Sequence, residues 1–81
     1  MPRTLSSARQ ARLAELLVSY REAAGMTQVE VAQALGRHQP FISNIEAGQR
    51  RVDVVELLDL AAVIGFDARE LIEELANIRR E

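Results

Sequence analysis

Apolar residues recur along this chain at helical rather than alternating spacing. Leu13, Leu16, Leu17, Tyr20 and Ala24 fall at i, i+3, i+4, i+7 and i+11, one stripe of an amphipathic helix. Gly25 follows, where a C-terminal glycine ends such a helix. Val31, Ala32 and Leu35 form the inner face of a short second helix closed by Gly36, and Ile42 and Ile45 anchor a third closed by Gly48. Val54, Leu57, Leu58, Ala61 and Ile64 mark a fourth, closed by Gly65. Leu71, Ile72, Leu75 and Ile78 mark a fifth, with Arg79 and Arg80 suited to its negative C-terminal end.

Helix starts carry their own signal. In a capping box a short polar residue and a Glu or Gln three positions on each satisfy an orphan backbone N–H of the other. Ser7 with Gln10, Thr27 with Glu30, Asp53 with Glu56 and Asp67 with Glu70 all fit that spacing. Met26 with Val31 and Phe66 with Leu71 add two hydrophobic staples. The pattern predicts an all-α fold, a single compact five-helix bundle over residues 1–81, with no linker, repeat or low-complexity segment.

Composition narrows the function. Hydrophobic residues make up 48% of the 81 positions but aromatic ones only 4%, a balance that suits helices. The absence of Cys excludes disulfides and thiolate metal sites. The opening MPRTLSSARQ lacks the apolar stretch of a secretory signal, and no apolar run approaches the roughly 18 residues that span a bilayer. A cytoplasmic protein with no membrane association is expected. No glycine-rich phosphate loop, nucleophile–base set or metal-ligand spacing is present, so neither an enzyme, a cofactor nor a small-molecule ligand is expected. His38 is the only His and has no second ligand type beside it, and Asp53, Glu56, Asp67 and Glu70 are better explained as caps than as acids and bases.

The net charge of −2 divides unevenly. Residues 1–51 hold seven Arg against four Glu, whereas residues 52–81 hold three Arg against eight Asp and Glu. That asymmetry suits one face turned to phosphates and another turned away, and equally an ordinary solvated surface.

The second and third helices are short and joined around Gly36, the layout of a helix-turn-helix over about 27–47. Its second helix, about 39–47, is the one that enters a major groove. With Ile42 and Ile45 turned inward, Gln39, Pro40, Phe41, Ser43 and Asn44 stay largely outside the core stripe. Side-chain amides bond adenine bidentately through N6 and N7. Phe41, if exposed, meets a thymine methyl or the sugar–phosphate wall; alternatively it folds back onto the bundle.

From Tyr20 to Phe66 the chain resembles the Cro/CI-type (Xre-like) helix-turn-helix family of bacterial and phage repressors, the lambda-repressor-like domain. The resemblance rests on R-x-x-x-G-M-T-Q at 21–28, V-A-x-x-L-G at 31–36, F-I-S-x-I-E-x-G at 41–48 and R-R-V-D-V-V-E-L at 50–57. It implies that Gln39, Pro40 and Asn44 face base edges. It implies further that Gln28 holds a phosphate and braces Gln39, and that Arg37, His38, Ser43, Arg50 and Arg51 lie at phosphates. Arg21 and Glu46 would form an internal ion pair. His38 departs from the family pattern, which has Ser or Thr as N-cap of the recognition helix; with Pro40 restricting Gln39, that leaves the start of the helix open.

The fifth helix, about 67–79, either closes the bundle or supplies a homodimer face through Leu71, Ile72, Leu75 and Ile78. The resemblance also points to dimers, and a dimer implies a pseudo-palindromic operator in double-stranded DNA. The expected function is a sequence-specific transcriptional regulator, a repressor. The alternative is an antitoxin-type or other interaction module that binds a partner protein as well as DNA, with a purely structural helix-turn-helix third.

Overall fold

A computed structural model describes residues 7–79. Five helices follow in chain order: α1 (Ala8–Ala23), α2 (Gln28–Ala34), α3 (Gln39–Glu46), α4 (Val54–Ile64) and α5 (Ala68–Ala76), with no strand among the described residues.

Local chemistry sets where most of them begin. Thr27 Oγ1 accepts from the Glu30 N–H at 3.1 Å while Glu30 accepts from the Thr27 N–H at 2.8 Å, a complete capping box at α2. Asp53 and Glu56 do the same at α4, at 2.7 and 3.1 Å. The other two expected boxes are single caps. Ser7 accepts from the Gln10 N–H at 3.1 Å, but the Gln10 side chain turns into the bundle and is buried. Asp67 accepts from Arg69 rather than Glu70; its ψ of 109°, against 159–171° at the other N-caps, aims the carboxylate one residue short. At α3, His38 is the N-cap without a side-chain bond. Pro40 has no N–H to satisfy, and the Phe41 N–H closes on the His38 carbonyl at 3.0 Å, so the helix starts without one.

The turn between α2 and α3 depends on Gly36, whose φ of +70° is the left-handed region. It lets the Gly36 N–H reach the Gln33 carbonyl and the Arg37 N–H reach that of Ala32, at 3.0 and 2.8 Å, which ends α2 and redirects the chain.

Leu16 and Leu17, Val31 and Ala32, Ile42 and Ile45, Leu57 and Leu60, and Leu71 form the core, each helix contributing at least one residue. Met26 and Phe66 pack against it, and the Phe66 ring stacks on Tyr20 with centroids 4.4 Å apart. Three expectations for the inner faces are corrected. In α4 the inward residues are Leu57, Leu60 and Ala61, with Ile64 half-buried; Val54 and Leu58 face out. The run from Val54 to Ile64 is apolar at nine of eleven positions, so its periodicity could not choose a face. In α1, Ala24 is an exposed C-cap and Ala14 is buried in its place. In α5, Leu71 is fully buried, which removes it from any dimer face, while Leu75 is half-buried and Ile72 is exposed; Ile78, also half-buried, lies beyond the end of the helix.

The negative end of α5 is met from across the bundle. α5 ends at Ala76, so Arg79 lies beyond its last turn, and Arg80 lies outside the described residues. Arg9 of α1 donates instead to the Leu75 and Ile78 carbonyls, each at 3.1 Å.

Candidate nucleic-acid interface

The α2–turn–α3 unit is held to α1 by a largely buried ion pair. Arg21 donates from Nε to Glu46 Oε2 at 2.7 Å and from Nη2 to Oε1 at 3.0 Å, with the two side chains only 13% and 8% exposed. A third bond, from Nη1 to the Met26 carbonyl at 2.9 Å, fixes the start of the loop into α2. The hydrogen bonds to Glu46 push the Arg21 pKa up against the opposing effect of burial. The expected ion pair is therefore present, as a bidentate fork.

From that pair a line of hydrogen bonds runs outward. Gln28 Nε2 donates to Glu46 Oε1 at 2.8 Å, and Gln39 Nε2 donates to Gln28 Oε1 at 3.1 Å. Burial falls along the line, from Glu46 and Gln28, both half-buried or deeper, to Gln39 in solvent. Beyond Gln39, Pro40 and Asn44 are exposed one turn apart on α3, and exposed His38 precedes the helix. Ser43 is half-buried, with its hydroxyl donating to the Pro40 carbonyl at 3.4 Å. The free surface of α3 thus offers amide donors and acceptors, while the charged side chain of the helix, Glu46, is turned inward against Arg21.

Phe41 lies elsewhere than an exposed ring would. It is half-buried, packed against the core, and its ring stacks with the guanidiniums of Arg37 and Arg50, 4.2 and 4.6 Å from the ring centroid. The spacing accounts for this: Phe41 is one turn before Ile45 and so flanks the inward stripe. Cation–π attraction of about 0.5–1 kcal/mol per contact keeps both arginines beside α3.

Glu56 organises the same cluster. Its two oxygens accept from Arg50 Nη1 and Nη2, each at 2.9 Å, and Arg37 Nη2 lies 3.5 Å from Oε2. Arg50 holds the Glu56 carboxyl below the usual carboxylate range; burial opposes this, and the Asp53 N–H and the charge of Arg37 add to it. Arg50 also donates to the Arg51 carbonyl at 2.8 Å, while the Arg51 side chain is exposed. Sequence reasoning took Glu56 only as a cap. Its role as the hub of Arg37 and Arg50 depends on contacts 6 and 19 residues away in sequence, beyond the reach of any local spacing rule.

This geometry now meets the comparisons with known proteins. A family model described as a helix-turn-helix domain matches residues 12–75. A solved XRE-family like protein from Pseudomonas syringae pv. tomato str. DC3000 is 45% identical, with a TM-score of 0.79 over 85% of this chain and 84% of that one. The chain belongs to the XRE helix-turn-helix family, the Cro/CI type. Repressor protein C of Rhizobium phage 16-3 is 33% identical over 70 residues, 86% of this chain and 26% of that protein. This XRE-family chain thus spans about a quarter of the length of that relative. The restriction-modification controller protein C.AhdI from Aeromonas hydrophila is 31% identical, with a TM-score of 0.73 over 79% of this chain and 93% of that one. The family match takes in the whole of α2, α3 and α4, and with them all the contacts from Arg21 to Glu56.

Proposed function

We propose that this DNA-binding transcriptional regulator reads a specific duplex sequence by laying α3 in the major groove, and that it represses as a homodimer. The observation that carries the reading is the pair of exposed amides, Gln39 and Asn44, on a helix braced through Gln28 to a buried ion pair. A base-reading side chain must be available to solvent and held still, and this surface has both properties. Gln39, Pro40 and Asn44 are the base-facing residues. Gln28, His38, Ser43 and Arg51 contact phosphates, joined by Arg37 and Arg50 once phosphate oxygens compete with Glu56 for them. Phe41 acts as a wedge that aims those two arginines.

The second copy packs on α4 and α5. Val54, Val55, Leu58 and Ile72 are exposed large apolar residues on these helices; among the described residues, Val29 of α2 is the other large apolar side chain so exposed. Leu75 and Ile78, half-buried beside Ile72, complete the face. A two-fold pair presents two α3 helices to successive major grooves, roughly 34 Å apart. Repression follows from occupying an operator, and the names of the phage repressor and the controller protein support a regulatory role. No helix among the described residues is long and apolar enough to cross a membrane, which agrees with a cytoplasmic site of action.

Selection of a random duplex library with the purified protein tests the reading. Enrichment of an inverted repeat with half-sites about one helical turn apart is expected. A folded protein that enriches no sequence at low salt overturns it and turns attention to a partner protein.

A further inference from the structure

We infer that Arg9 and Arg12 of α1 fix the direction of α5, and through it the half-site spacing at which the paired protein binds; this rests on the second copy packing on α4 and α5. Apolar packing anchors α5 lightly. Leu71 is its single buried residue, with Leu75 half-buried one turn on. The last turn is held instead by polar contacts from α1. The Arg9 guanidinium donates from Nε to the Leu75 carbonyl and from Nη2 to that of Ile78, each at 3.1 Å, and Nη2 lies 3.5 Å from the Ala76 carbonyl. One planar fork thus gathers the carbonyls that a helix end leaves without partners. Arg12 adds a second tie, donating from Nε to Glu74 Oε2 at 2.7 Å.

The other end of α1 carries Arg21, which forks onto Glu46 of α3. Arg9 and Arg21 stand about 18 Å apart along the helix axis at 1.5 Å per residue, so α1 is a strut with α5 tied to one end and α3 to the other. Arg9 also shares an open hollow of about 240 Å³ with Ile72, Leu75 and Ala76. The part of α5 that Arg9 holds is therefore the part that meets the second copy. Any change in its direction turns one α3 relative to the other. A rigid pair accepts one spacing, because one base pair more or less shifts a half-site by about 3.4 Å and rotates it by roughly 35°. Arg9 and Arg12 are positioning residues: they touch no base, and act on the operator through α5. Lysine at position 9 is a single point charge and cannot hold several carbonyls in one plane.

The test titrates duplexes that carry the selected half-sites at the selected spacing and at one or two base pairs more and fewer, beside a duplex with a single half-site. The wild-type protein should prefer one spacing over its neighbours by about tenfold or more. Arg9→Ala and Arg9→Lys should bring the neighbouring spacings within about threefold of the best, with single-half-site affinity and helical circular dichroism unchanged. Arg12→Ala should fall between them and the wild type. A merely structural loss weakens binding at every spacing alike and leaves the ratio where it was. A wild-type protein that sediments as a monomer, with DNA and without, fails the dimer reading itself. If the wild type pairs and the arginine variants keep its spacing preference undiminished, or if the paired wild type prefers no spacing, only the role of the arginines is overturned. A folded Arg9→Ala that no longer pairs places Arg9 in the contact itself and overturns the positioning role too. Arg12 and Glu74 are 42% and 43% exposed, so Arg12→Ala keeps the fold and decides the ratio should Arg9→Ala fail to fold.

Discussion

Arg50 and Glu56 face each other as a fork on a fork, 2.9 Å at both contacts, directly beside α3 through the ring of Phe41. The same carboxylate draws in Arg37, so one acid partly neutralises two of the cations closest to α3. A negative group there opposes binding to phosphates of any sequence and leaves specific base contacts relatively more important.

Glu56→Gln follows directly from this. Glutamine still serves at the third position of a capping box, so α4 keeps its start. Affinity for random duplex DNA should rise severalfold and the salt dependence should steepen by about one phosphate contact. Fluorescence titrations at several salt concentrations measure both, and an unchanged salt slope would show that Glu56 does not restrain the arginines.

Stability should respond to acid through the same pair. Arg50 holds the Glu56 pKa below its ordinary value, so the pair's contribution is complete above the usual carboxylate range. It is lost as pH falls through the depressed folded-state value. Melts of the wild type and Glu56→Gln from neutral to acid pH should show a Tm gap that closes over that interval. A gap independent of pH would mean the charge of Glu56 contributes nothing.

Breaking the buried fork should be costly. Arg21→Ala leaves Glu46 and its line of hydrogen bonds without their counter-charge in a site where the acid is only 8% exposed. A loss of about 3–5 kcal/mol in denaturant unfolding is expected. Replacing both partners by apolar residues of similar volume should cost far less.

Base and phosphate contacts should separate by their specificity. Asn44→Ala should lose about 1–3 kcal/mol on the selected operator and relax one base position. Arg51→Ala should weaken binding to every sequence and reduce the salt slope by about one. Equal losses on operator and random DNA for Asn44→Ala would remove it from the base-reading set.

Assembly and folding should come apart between neighbouring residues of α5. Ile72 is 47% exposed and Leu71 is fully buried. Ile72→Glu, alone or with Leu58→Glu, should yield a folded monomer by sedimentation. Leu71→Ala should unfold with a loss of about 2–5 kcal/mol. A dimer that survives both glutamates would move the interface away from α4 and α5.

How much of this was legible along the chain depends on the range of each interaction. The number and order of helices, their glycine stops, and the complete boxes at Thr27 and Asp53 were readable because a cap or turn involves residues three to five apart. The Arg21–Glu46 pair, 25 residues apart, was reached only through resemblance to a family. Which face of α4 turns inward was settled by tertiary packing alone, since a helix apolar nearly all round buries whatever side its neighbours cover. The same holds for the stacking of Arg50 on Phe41, the sharing of Glu56 between two arginines, and the capping of α5 by Arg9. Each joins groups that are distant in sequence, and a local pattern carries no information about which distant group will arrive; only the closed bundle brings them within reach.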